Sequence, residues 1–288
     1  MGNGTLASIN HVSDTALWVA YYRAQESEKP NGLFKDPFAK KLAGEKGRQI
    51  SESMQGLARF TGWTLVVRTC IIDRFIEEAI ASGVDTILNL GAGLDTRPYR
   101  MKLPTSLHWI EVDYPDLLDY KQSHLAGEKP VCQLEHVRQD LSDGPKRREL
   151  FQRVASQSKK TLVITEGVIP YLSEEQVTDL ARDLHSHPSF AFWIAEYFAQ
   201  DIYKYLNNPK RNDKMKNAPF RFLPADWWRF FRELGWEKQE VRYLTEESIR
   251  LGIAVPMPWW AKFFQPFLSA TTKAKHGRMT GYCLFRQI

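Results

Sequence analysis

At 288 residues the chain is long for one ordinary domain and short for two, so it reads as one α/β unit with added cap elements. Its 43% hydrophobic and 25% charged content fit a globular protein and exclude a disordered or fibrous one. The net charge of +5 arises from Lys and Arg interleaved with Asp and Glu; without a long basic run, nucleic acid is not the expected partner.

In chain order, the first predicted helix spans residues 15–23, with Ser13 or Asp14 as its cap, and a polar loop follows at 23–27. Asp36 before Pro37 marks a helix start, with Gly44 as its expected stop. Apolar residues recur at three and four from Trp63 to Ala81, which predicts a longer helix carrying Arg68. All of this precedes the first strand, so residues 1–82 read as an N-terminal helical cap on residues 83–288.

Past Gly83, strands and helices alternate. Strands are predicted at 86–90, 107–113, 134–138, 161–165 and 190–197. Helices fall between them at 115–124, 146–156 and, behind the capping box Ser173–Gln176, up to His185. Alternation of this kind predicts a doubly wound, mostly parallel sheet that binds its ligand at the strands' C-terminal ends. Further on come a polar loop at 207–214, a helix at 224–234, strands at 240–243 and 281–286, and cap elements near 200–275. That last region includes an aromatic run (Trp259, Trp260, Phe263, Phe264, Phe267). At helical spacing such a run is core packing, the wall of an apolar pocket, or a surface for a membrane.

Cys70, Cys132 and Cys283 are odd in number and lack metal-type spacing, so buried thiols in a reducing compartment are expected and no metal site is. No apolar run nears the ~20 residues of a membrane span and no secretory signal opens the chain, so the expected location is cytoplasmic.

The functional signal is concentrated at 86–97, Thr-Ile-Leu-Asn-Leu-Gly-Ala-Gly-Leu-Asp-Thr-Arg. A short apolar strand breaks into Gly91 and Gly93, and the next strand ends in the acid Asp113. Strand, glycine turn and strand-tip carboxylate form a site for an adenosine-containing cofactor. A dinucleotide fingerprint has a third glycine where this chain has Thr96. Acids also follow the third and fourth strands, at Asp140 and Glu166. Each could simply cap the next helix; in register beside the glycines they form a carboxylate rim. S-adenosylmethionine, net positive, suits such a rim, whereas a diphosphate is repelled by it.

The segments 89–97, 111–115 (Glu-Val-Asp-Tyr-Pro) and 165–176 (Thr-Glu-Gly-Val-Ile-Pro-Tyr-Leu-Ser-Glu-Glu-Gln) resemble the leucine carboxyl methyltransferase family of class I, Rossmann-like S-adenosylmethionine-dependent methyltransferases. That family includes an enzyme methylating the C-terminal carboxylate of a protein phosphatase and bacterial relatives linked to polyketide O-methylation. The resemblance covers roughly residues 15–200 and includes Leu33-Phe34-Lys35-Asp36-Pro37. It implies that Gly91 and Gly93 form the cofactor turn, that Asp113 holds the ribose, and that Asp140 and Leu141 flank the adenine. It implies further that Glu166 contacts the cofactor and that Arg68 pairs with its carboxylate. Tyr171 matches a tyrosine near the acceptor, its alternative being a core aromatic. Arg23 falls near the family's N-terminal basic residue, at a different spacing from Asp36.

The expected reaction is methyl transfer from S-adenosylmethionine to a carboxylate or hydroxyl of a small, possibly apolar or aromatic, metabolite. No histidine occupies a strand end, which favours a carboxylate acceptor that needs no base. The competing readings are an NAD-dependent oxidoreductase and an inactive module that keeps the cofactor fold. Acceptor identity and oligomeric state are not written in the sequence.

Overall fold

A computed structural model describes residues 12–203, 219–257, 263 and 267–288. The predicted loop at 207–214 and, of the aromatic run, Trp259, Trp260 and Phe264 lie outside them. Three N-terminal helices come first: α1 (Val12–Glu28), α2 (Ala39–Ser53) and α3 (Gln55–Ala81). The predicted loop at 23–27 is instead the last turns of α1. Arg23 and Glu26 turn inward there and find partners, Arg23 on Asp36 at 3.1 Å and Glu26 on Lys29 and the Leu33 N–H. Their polar character signals internal pairing rather than exposure. At Gly44 the chain does break, with φ 55° and ψ −167°, but helix resumes through Ser53.

The strands are β1 (Thr86–Leu90), β2 (His108–Asp113), β3 (Gln133–Arg138), β4 (Thr161–Thr165), β5 (Phe190–Phe198), β6 (Trp236–Tyr243) and β7 (Thr280–Gln287). They form one sheet in the order β3-β2-β1-β4-β5-β7-β6, parallel as far as β5 and antiparallel at β7. The intervening helices are α4 (Arg97–Arg100), α5 (Pro115–His124), α6 (Gly144–Gln157) and α7 (Glu174–His185), the last opened by the predicted capping box. Later come α8 (Trp227–Glu233), α9 (Leu244–Arg250) and α10 (Ala270–Gly277). α8 starts three residues past the predicted Pro224 because Asp226 caps it, accepting from the N–H groups of Trp228 and Arg229. α9 and α10 were not predicted; each is a short, charged segment without a strong apolar stripe.

Central strands buried on both faces read as unbroken apolar runs, and their alternate residues feed two cores. Leu88, Leu90, Ile110 and Val112 face α6, α7 and α8, where Phe151, Leu180 and Phe231 pack with Trp193 of β5. Ile87, Trp109, Leu162 and Ile164 face α3, through Val67, Ile71 and Phe75. With both faces covered, the C-terminal edge is where main chain meets open space, and there the registers are level. Leu90 pairs with Val112, Asp113 with Arg138, and Thr165 with Ala195. Gly91, Asp113, Gln139, Glu166 and Glu196 therefore line one edge.

Candidate cofactor and methyl-transfer site

A cavity of about 1770 Å³ opens on that edge, walled by residues of α1 and α3 as well as the strand ends. It exceeds the ~300–1,000 Å³ of common small-molecule sites, leaving room for two ligands. All nine predicted site residues line it: Arg23, Arg68, Gly91, Gly93, Asp113, Asp140, Leu141, Glu166 and Tyr171.

The glycine turn is built by backbone freedom. Gly91 has φ 70° and Gly93 φ 53°, and a Cβ on Gly91 would lie 2.4 Å from Val168 Cγ2. The turn is tied down by the Gly91 N–H donating to the Val112 carbonyl at 2.8 Å. Asp113 holds it from the next strand: Oδ2 accepts from the Gly93 N–H at 2.6 Å and Oδ1 from the Tyr114 N–H at 2.7 Å. Burial nevertheless raises the Asp113 pKa. Asp140 closes its own loop through the Ser142 N–H at 2.8 Å, and the Leu141 carbonyl accepts from Arg147 at 2.8 Å.

A cluster of charges closes the other end. Arg68 of α3 meets Glu166 at 2.6 Å, and Arg97 meets the same carboxylate at 2.7 Å while also holding Asp95 at 2.9 Å and Asp73 at 2.7 Å. Burial opposes the charge on Glu166, but Arg68 and Arg97 outweigh it and hold its pKa below the usual value. Burial likewise opposes the charge on Arg97, and Asp95, Glu166 and Asp73 more than restore it. Arg68 is thus paired within the protein, not held as a bare cation. Arg23 also lies on the wall with its charge met, by Asp36, which accepts the Thr96 hydroxyl at 2.7 Å. Tyr171 sits half-buried against the small core that Trp18, Tyr22, Ile50, Met54 and Leu65 form, its ring 5.2 Å from that of Phe220.

Sequence reasoning missed Arg97, Asp95, Gln139, Glu196 and Tyr282. Arg97 is 2% exposed and braces the turn, although an arginine two residues past an aspartate looks like surface. Glu196 lies two residues before the end of β5 and one past its last pairing with β4, an acid in an otherwise apolar strand, and that was the available signal. Its Oε1 accepts from the Gly167 N–H, and its Oε2 has no partner among the described residues. Tyr282 reaches the cavity from β7, far away in the chain.

Residues 16–185 match the leucine carboxyl methyltransferase family. The chain belongs to that family. It is similar to a candidate S-adenosyl-L-methionine-dependent methyltransferase of Streptomyces coelicolor, 36% identical over 57% of this chain and 60% of that protein. The chain thus spans under two thirds of that relative's length. A second such candidate, from Parafrankia, is 34% identical over 86% of this chain and 84% of its own. In fold the chain resembles a crystal structure of a DUF574 family protein from Streptomyces avermitilis, with TM-score 0.57, 15% identity, and coverage of 95% of this chain and 97% of that one.

The family's cofactor, S-adenosylmethionine, fits the residues present. Side-chain atoms of Asn89 (Oδ1), Gln139 (Nε2) and Glu196 (Oε2) are buried without partners on this edge. Each polar orphan costs stability unless a ligand or water meets it. Gly91 and Gly93 of the turn present no Cβ atoms beside Asp113 on the cavity wall, and Arg68 lies on the same wall.

Proposed function

We propose that the protein transfers a methyl group from S-adenosylmethionine to a carboxylate or hydroxyl oxygen of a small, apolar or aromatic acceptor. The observation carrying this reading is that the Asp113–Gly93 contact and the Arg68–Glu166 pair face one cavity, large enough for a second ligand and walled in part by α1 and α3. The bound cofactor supplies an electrophilic methyl carbon on a sulfonium. Asp113 would orient ribose hydroxyls, with Asp140 and Leu141 beside the adenine. Arg68 would bind the carboxylate through its planar fork. Trp18, Trp63 and Leu65 keep water from the acceptor side, so alignment and desolvation supply most of the rate. In this reading the described N-terminal helices α1–α3 cap the acceptor space, with Arg23 and Tyr171 at its border.

A dinucleotide oxidoreductase is disfavoured: Thr96, where the third glycine would stand, is fully buried and bound to Asp36, and the carboxylates would repel a diphosphate. No described helix is long and apolar enough to cross a membrane. The free cysteines favour a reducing compartment such as the cytoplasm. Calorimetry with S-adenosylhomocysteine and with NAD tests the donor. Binding of NAD and not S-adenosylhomocysteine would refute the assignment. Methyl label carried from S-adenosylmethionine into small-molecule acceptors tests turnover and separates an enzyme from an inactive module.

A further inference from the structure

The charges on the cavity wall are sorted by position. At and just after the ends of β2 and β3, Asp113 and Asp140 bond to N–H groups and enter no ion pair among the described residues. On the donor reading above, on which this inference rests, these acids and the Arg68–Glu166 pair belong to the net-positive cofactor. Beyond the end of β5 the sign changes. Arg221 lies on the wall there, as do Lys273 and Lys275 of α10. The described acid in that part, Asp201, is already met by Lys275 at 2.8 Å.

Arg221 is held in place by its neighbours. Its N–H donates to the Pro170 carbonyl at 2.7 Å, in the loop that runs from Glu166 to Tyr171. Phe220, before it, packs on Tyr171 with ring centres 5.2 Å apart and on Phe198, the last residue of β5, at 5.7 Å. Phe222, after it, is fully buried. The main chain is thus anchored on both sides, while the Arg221 side chain is exposed and meets no acid among the described residues. A solvated arginine is ordinary on a protein surface. This one borders a cavity wall of three aromatic rings, Tyr171, Phe198 and Phe220.

We propose that the methyl acceptor is an amphipathic anion. Its apolar body lies on the Tyr171, Phe198 and Phe220 wall, and a negative group, apart from the oxygen that is methylated, is held at the opening by Arg221. A guanidinium binds a carboxylate, phosphate or sulfonate through two parallel N–H bonds, and an anchored main chain lowers the entropy lost in doing so. The basic residues of α10 add attraction of the same sign. A cationic donor among acids and an anionic acceptor beside cations are also kept from each other's places, because each would meet like charge in the wrong one. The rival ligand for Arg221 is the cofactor's own carboxylate, and the two are separable by experiment.

The test uses the full chain saturated with S-adenosylhomocysteine and two fluorescent probes, anilinonaphthalene sulfonate and phenylnaphthylamine. They share their aromatic rings and differ by the sulfonate. The ratio of sulfonate to neutral affinity should fall about tenfold in Arg221→Gln, the value of a charge-assisted bond. Arg221→Lys should keep part of the ratio, as a point charge without the fork. Affinity for S-adenosylhomocysteine should not change in either variant. A ratio unchanged in Arg221→Gln overturns the proposal. So does a loss of S-adenosylhomocysteine affinity, which would give Arg221 to the cofactor. Naphthoate and naphthyl phosphate should displace the sulfonate probe, the better of the two naming the anion; naphthalenemethanol displacing it equally well overturns the proposal. If Arg221→Gln does not fold, salt decides in wild type. Raising ionic strength from about 0.05 M to about 0.5 M should weaken the sulfonate probe and spare the neutral one, and equal responses count against the proposal. A wild-type chain that binds no S-adenosylhomocysteine is a different result and refutes the donor reading.

Discussion

Arg68 Nε lies 2.6 Å from Glu166 Oε1, joining the middle of α3 to the loop that leaves β4. A cofactor carboxylate that reaches Arg68 must share it with this partner, so the fork geometry matters more than the charge. Arg68→Lys should weaken S-adenosylhomocysteine binding about tenfold or more, since lysine presents a point charge and cannot bridge two carboxylates in a plane. Calorimetry that finds wild-type affinity in Arg68→Lys would show that charge alone suffices.

Asp113 binds the Gly93 and Tyr114 N–H groups and still faces the cavity. Asp113→Ala should cost roughly ten- to a hundredfold in cofactor affinity, the value of a charge-assisted bond of about 1.5–3 kcal/mol. The strands should keep their melting cooperativity, because the side chain lies at a sheet edge. Unchanged affinity would remove Asp113 from the site.

Gly91→Ala places a methyl 2.4 Å from Val168 Cγ2 at a φ of 70°. The left-handed backbone alone costs an alanine about 1–2 kcal/mol, and displacement of Val168 adds to it. Val168→Ala in the same chain should restore the steric part and leave the backbone part. If the double variant melts like Gly91→Ala, the contact with Val168 is not what excludes a side chain.

Glu196 also predicts how stability depends on pH. Its folded pKa of about 7 lies above the ordinary 4.5. The folded state therefore keeps the proton that the unfolded state loses, and this contribution is full below 4.5 and lost as pH rises through 7. Wild type and Glu196→Gln should be alike in stability near pH 4. Above pH 7 the glutamine variant should be more stable by about 2–3 kcal/mol. Denaturant midpoints that do not diverge with pH would contradict the burial of an unpaired carboxylate.

Tyr171 is packed against the N-terminal helical core and the Phe220 ring at the cavity wall. Tyr171→Phe keeps that packing and removes the hydroxyl. If the hydroxyl orients the acceptor, turnover should fall about tenfold with cofactor affinity unchanged, in line with one lost hydrogen bond of about 1.5 kcal/mol. No change in turnover would make Tyr171 a packing residue only.

Much of the framework was legible because it is local. β1, α5, β4 and α7 begin and end where the apolar runs, Pro115 and the capping box place them. The glycine turn and the strand-tip acids announced the edge. What escaped was written in contacts between distant residues. Arg23 and Glu26 looked like loop residues, because nothing local shows that Asp36 and the Leu33 N–H await them. Glu196 passed unnoticed because nothing local shows that folding buries it with one oxygen left without a partner among the described residues. Tyr282 shares a cavity with Glu196 only through the antiparallel pairing that sets the two opposite one another.

The placement of β7 between β5 and β6 has a consequence for folding. β5 presents a nine-residue, largely apolar strand whose outer hydrogen-bonding edge is met, among the described residues, by β7, about eighty residues later in the chain. Until β7 docks, that edge is an open template for intermolecular pairing, and the long loop to be closed makes docking slow. Misassembly during refolding should therefore start at β5 and draw in Phe190–Phe198 of neighbouring chains. A ligand that ties Glu196 to the far end of the cavity would act late, after β7 has brought Tyr282 into place.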